Sequence, residues 1–134
     1  MITKEVKFKD YNGVEKTKSY RFNLSPAELL EMELDKNGTL EEYVQAIVDS
    51  KDSKQIKDLF KEILLMSYGE KSLDGEYFEK SDELRKRFVA SPAYSIIFTE
   101  LATNTQAAVD FVNGITPSEE EMAVIADQIK KNNN

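Results

Sequence analysis

Several short stretches of this chain carry side chains at spacings that chemistry uses. Glu33, Asp35 and Asn37 alternate ahead of Gly38, with the apolar Leu40 just beyond. That is how a calcium loop opens, with alternating oxygen ligands and a glycine at the sharp turn. Such a loop closes on a bidentate Glu, and that place holds Val44, so the strongest oxygen pair is missing. Gly69-Glu70-Lys71-Ser72 sets a Lys-Ser pair after a glycine. A phosphate loop needs Gly directly before the Lys, and Glu70 stands there instead, where it would set a carboxylate against the phosphates. Glu41/Glu42 and Glu119/Glu120/Glu121 are spaced for general acid–base work. They fall in the first turns of predicted helices, where negative charge complements the helix dipole. Tyr68, Tyr77 and Phe78 surround an Asp74-Gly75 turn. These aromatics form either a satellite core pinning the loop or an exposed protein-binding surface.

The rest of the composition removes most alternatives. Among 134 residues there is no His and no Cys. That excludes disulfides, thiolate metal sites, imidazole ligands, cysteine nucleophiles and the Ser-His-Asp triad. The reading is therefore not an enzyme, with no catalytic residues, no cofactor and no metal. Lys plus Arg total 18 against 25 Asp plus Glu, for a net charge of −7, whereas a nucleic-acid binder shows a basic patch or stripe. The dense basic stretch Arg85-Lys86-Arg87 follows Asp82 and Glu83 on one predicted helix and reads as a solvated face. No apolar run approaches the roughly 18 residues of a membrane span, and the opening Met1-Ile2-Thr3-Lys4-Glu5 has no signal-peptide core. The expectation is a cytoplasmic protein that meets neither nucleic acid nor membrane.

The elements that position these residues follow from periodicity and caps. Val6 and Phe8, then Tyr20 and Phe22, alternate with polar residues on either side of Asn12-Gly13, which predicts a hairpin over 4–23. Its apolar face must rest on something, since a lone hairpin is marginal in water. Beyond Leu24 the pattern is helical. Ser25-Pro26-Ala27-Glu28 is a capping box with proline at the first helical position. That helix carries Leu29, Leu30, Met32 and Leu34 and stops at Lys36-Asn37-Gly38. Thr39 with Glu42 starts the next helix, and Ser53 a third with Leu59, Phe60, Ile63 and Leu64, ended by Gly69. Residues 70–80 read as irregular. Ser81 opens a short helix holding Leu84, Phe88 and Val89. Ser91-Pro92 opens another with Tyr94, Ile97, Phe98 and Leu101, kinked or restarted at Asn104, with Gly114 as its stop. Thr116-Pro117 opens a last helix with Met122, Ile125 and Ile129. The expected fold is mainly α, a helical domain of about five or six helices with an N-terminal β-hairpin. It is one domain over 1–130 (hairpin 4–23, helical part 25–130), with a polar tail over 131–134.

Specific residues then suggest a family. Ser67-Tyr68-Gly69-Glu70-Lys71-Ser72, Asp74-Gly75, Phe78 and Lys80 come first, followed by Ala93-Tyr94-Ser95, Phe98 and Glu100-Leu101-Ala102. Ala107-Ala108, Phe111 and Asn113-Gly114-Ile115 complete the order, with Phe22-Asn23-Leu24-Ser25 and Met32-Glu33 upstream. Together these resemble the tail assembly chaperones of long-tailed phages (siphophages) infecting Gram-positive bacteria, over roughly residues 6–115. The resemblance implies a protein that binds the long helical tape measure protein, keeps it soluble and helps recruit tail tube subunits. It also implies residence in the cytoplasm of the infected or lysogenic host and absence from the mature virion. Tyr68, Tyr77 and Phe78 are the candidate partner-binding residues, and a homo-oligomer is compatible with the reading. In several members of that family an elongated form, made by ribosomal frameshifting, recruits the tube protein. The closing Lys130-Lys131-Asn132-Asn133-Asn134 requires an A-rich message. It is either an ordinary solvated terminus or, where both lysines use AAA codons, a slippage site from which a longer fusion diverges near Lys131. The competing readings are a structural adaptor or connector of the phage particle and, less favoured, an acidic DNA-mimic decoy.

Overall fold

The structure is a computed structural model that describes residues 1–36 and 38–133. It opens with the antiparallel strands β1 (Ile2–Lys9) and β2 (Glu15–Phe22), paired in register from Ile2 opposite Phe22 to Lys9 opposite Glu15. The connection spans Asp10–Val14. The Asp10 carboxylate accepts from the backbone N–H groups of Asn12 and Val14, each at 2.9 Å, and only Gly13 takes a left-handed conformation, with φ 79°. The hairpin is thus the predicted one, but its turn is a five-residue loop built on Asp10.

Seven helices follow among the described residues: α1 (Pro26–Lys36), α2 (Leu40–Ser50), α3 (Ser53–Ser67), α4 (Asp82–Ala90), α5 (Pro92–Thr103), α6 (Thr105–Ile115) and α7 (Glu119–Asn132). The mainly α expectation holds. Asn104 starts α6 as a separate helix, its side chain accepting from the Ala107 N–H at 3.1 Å. Ser25 and Glu28 form the reciprocal capping box at α1 (2.9 and 3.2 Å), and Thr39 and Ser81 cap α2 and α4 as expected. Two caps sit beside the expected residue: Asp52, not Ser53, caps α3, and Ser118 with Glu121 forms the capping box of α7, not Thr116.

The stretch expected to be irregular instead holds two strands, β3 (Tyr68–Lys71) and β4 (Phe78–Glu79). They extend the hairpin into a four-stranded antiparallel sheet of order β1-β2-β3-β4. Gly69 is therefore a buried strand residue and not a helix stop. A Cβ there would lie 2.7 Å from the Glu79 carbonyl oxygen and 2.7 Å from the Phe78 ring. Gly114 does not end α6 either; the helix continues to Ile115, and the bare Cα lets Ile2 of β1 approach.

The core lies where the sheet meets α3, α5 and α6. Phe22, Phe60, Ile63, Leu64, Ile97, Leu101, Phe111 and Ile115 are all fully enclosed. Phe22 meets Phe111 edge-on at 5.2 Å and Phe88 at 5.6 Å, geometries that aromatic quadrupoles favour. The exit of β2 is tied to two helix ends: the Asn23 N–H donates to Ser67 O and the Leu24 N–H to Ile115 O, both at 2.8 Å. These bonds satisfy carbonyls that the last turns of α3 and α6 leave without partners.

Candidate partner-binding surfaces

Tyr68, Tyr77 and Phe78 are not brought together on one surface. Tyr68 belongs to the core, 7% exposed, and its ring stacks on Phe88 at 4.3 Å. Burial, reinforced by the neighbouring Glu70 charge, pushes its phenol up to about 12. Phe78 is half-buried, its ring filling the space over Gly69 that a Cβ would occupy. Tyr77 projects from the β3–β4 turn and is 64% exposed, and Leu73 in the same turn is fully exposed. The turn itself is well ordered by local bonds. Ser72 Oγ donates to Asp74 at 2.7 Å and accepts from the Tyr77 N–H at 3.0 Å, and the Glu76 N–H donates to Asp74 at 3.0 Å. Gly75 supplies the left-handed residue, with φ 78°.

This turn is anchored from beneath by Lys80, a residue the sequence singled out only through a family resemblance. Its Nζ donates to both Glu28 carboxylate oxygens at 2.8 Å, to Asn23 O at 2.7 Å and to Met66 O at 2.7 Å. One ammonium thus joins the sheet exit, the start of α1, the end of α3 and the strand after the turn. Burial lowers the Lys80 pKa, offset in part by Glu28. For Glu28, burial alone would raise the carboxyl, but the bonds from Lys80 and Ser25 outweigh it and hold the pKa below its ordinary value. No periodicity announces such a residue; its signal is a lysine followed directly by a helix cap.

Further apolar surface lies elsewhere. Leu65, Val89 and Ala90 floor an open groove between α3 and α4, and Lys61, Arg85 and Lys86 rim it. Val89, expected on the inner stripe of α4, is exposed here. Arg85 is drawn across to α3, its Nε donating to Leu65 O at 2.8 Å, while Arg87 pairs with Glu83 at 2.7 Å. The Arg85-Lys86-Arg87 stretch is therefore mostly paired within its own surroundings. On α1, Met32 is buried while Leu30 and Leu34 face solvent.

The last helix is the extreme case. No residue of α7 is buried, and neither the core nor the half-buried side chains packed on it include anything beyond Ile115. Met122, Val124, Ile125 and Ile129 are 43%, 57%, 37% and 56% exposed. Lys131 and Asn132, expected in the polar tail, continue the helix, and Asn134 lies outside the described residues.

The apparent metal and phosphate motifs have structural roles. Glu33 turns its carboxylate to the start of α2, accepting from the Leu40 N–H at 2.8 Å; Asn37 lies outside the described residues. Glu70 and Lys71 sit in β3 opposite Glu79 and Phe78. Among the described residues no group of three or more carboxylates or other ligands is placed to hold a metal ion. No described helix is long and apolar enough to cross a membrane.

A family model for phage tail assembly chaperones matches residues 1–133. The chain belongs to that family. Searches of the curated proteins and of the solved structures return no match. Tail assembly chaperones are not a class of enzymes, so their chemistry is recognition of other proteins. The match runs through α7, past the point near Ile115 where the quoted motifs stop. The helix with no buried residue thus lies within the matched span.

Proposed function

We propose that this tail assembly chaperone binds the tape measure protein, keeps it soluble and helps recruit tail tube subunits, in the cytoplasm of a bacterial host of siphophages. The observation carrying the reading is that large apolar side chains stay in water on ordered elements: Leu73 and Tyr77 on the braced β3–β4 turn, and the α3/α4 groove. Exposed apolar area beside polar rims is the signature of protein contact. A helix laying its apolar face into such a groove is a common recognition mode. Tyr77 and Phe78 are the proposed contacts; Tyr68, enclosed in the core, is not one. A net charge of −7 keeps a crowded assembly soluble and suits a client with basic stretches. The elongated form diverging near Lys131 would carry the tube-recruiting segment.

Co-expression with the tape measure protein tests this. The wild-type chain is expected to raise the client's soluble yield and to co-purify with it. Tyr77→Glu should abolish co-purification while leaving the melting temperature nearly unchanged. A client equally soluble without the chain would overturn the proposal. Recovery of the chain in purified virions would favour a structural adaptor or connector instead.

A further inference from the structure

The apolar residues of α7 recur at Met122, Ile125, Ala126 and Ile129, the spacing of one helical face. The helix is built to be stable. It has a full capping box at Ser118 and Glu121 and an Asp127–Lys131 pair at 3.3 Å. Fourteen residues remain near the lower limit for an isolated helix in water, and this one contributes nothing to the core. The occupant of its stripe can be read from its charges. Glu119, Glu120 and Glu121 fill the first turn, and Lys130 and Lys131 the last. A parallel neighbour of the same sequence would set like charges together. An antiparallel one sets each acidic end beside a basic end and opposes the two helix dipoles.

We propose that α7 pairs with α7 of a second copy of this chain, antiparallel about a two-fold axis near Ile125 and Ala126. The stripe is symmetric about that point. Met122 then lies against Ile129 of the second copy and Ile129 against its Met122, while Glu119 and Lys130, on one edge of the stripe, reach its Lys130 and Glu119. Such self-complementarity is what a two-fold interface requires. The helix spans only about 21 Å, so the contact falls short of the roughly 800 Å² per partner of a standard interface. The dimer is accordingly expected to dissociate between about 10 μM and 1 mM. This inference goes beyond client binding and is tested without the client.

The experiment is sedimentation equilibrium on the full chain across that concentration range. The wild type should shift from monomer to dimer, and Ile125→Glu with Ile129→Glu should remain monomeric at every concentration. The melting temperature of that variant's core should be unchanged, since α7 buries nothing. Glu119→Lys with Glu120→Lys should weaken the dimer at least tenfold, as should Lys130→Glu with Lys131→Glu. Both variants spare Glu121 and its capping box. Mixed in equal amounts, these two charge variants should recover a dimer containing one chain of each. A wild type that stays monomeric at 1 mM, or a dimer that survives the two Ile→Glu changes, would overturn the proposal. So would growth beyond dimer, which marks α7 entering a groove of the next copy, or failure of the mixed charge variants to associate.

Discussion

Helices α6 and α7 carry the same apolar pattern and put it to opposite uses. Ala108, Phe111, Val112 and Ile115 in α6 have the spacing of Met122, Ile125, Ala126 and Ile129 in α7. The first set is buried to the last residue, the second not at all. What separates them is what lies opposite. The α6 stripe meets Phe22, and its end is bonded to Leu24, so the sheet covers it. Thr116 and Pro117 then break the helix, and α7 continues past the end of the body. A periodic stripe specifies a face that needs covering, and its sequence does not say whether the cover is the same chain.

The contrast is sharpest if both stripes are cut in the same way. Phe111→Ala is expected to cost about 3–5 kcal/mol in urea unfolding, the price of a large aromatic lost from a closed core. Ile125→Ala should cost less than about 0.5 kcal/mol at dilute monomer concentration, as an exposed substitution does. An equal loss from both would mean that α7 packs on the body in solution.

Lys80→Met comes next in size. It removes the donor to two backbone carbonyls and leaves the Glu28 carboxylate half-enclosed without its cation. A loss of about 2–4 kcal/mol is expected by chemical denaturation.

Gly69→Ala is expected to cost about 1–3 kcal/mol, since the added carbon has only the Glu79 backbone and the Phe78 ring to push against. The smallest effect is one of pH. The Glu28 pKa is lower folded than unfolded, because Lys80 and Ser25 outweigh burial. Its contribution is therefore present above the ordinary carboxyl value near 4.5 and lost as pH falls through the folded pKa. Lys80 runs the other way: burial lowers its pKa, so this group adds stability as pH rises toward 10.5. Unfolding midpoints at pH 5 and pH 3 should diverge more in the wild type than in Glu28→Gln. Equal divergence would remove Glu28 as a source of acid sensitivity.

Local signals were legible where a few neighbouring residues decide the outcome. Ser25 with Glu28, Thr39 with Glu42, and Ser81 each start a helix by bonding to backbone within three residues. The β1–β2 alternation likewise predicts its own pairing, and the buried Val6, Tyr20 and Phe22 are on the face it named. By contrast, β4 is only two residues long, and β3 owes its strand conformation to the edge of β2, far upstream. No window of sequence contains that partner. Tyr68 and Tyr77 illustrate the same limit: both are aromatics beside a turn, yet one is stacked on Phe88 and the other stands in water.

The sequence by itself determined that this chain is a mainly α protein with an N-terminal hairpin and side chains unsuited to His or Cys chemistry. It also carried the ordered motifs of a tail assembly chaperone. These properties rest on composition and on interactions a few residues apart, which any stretch of chain carries with it. Only the tertiary structure decided that β3 and β4 complete the sheet, that Lys80 joins four segments, and that one of two identically spaced stripes is left uncovered. Those outcomes depend on which distant surfaces meet, and burial energy goes to the pair of faces that fit together, whatever their order along the chain.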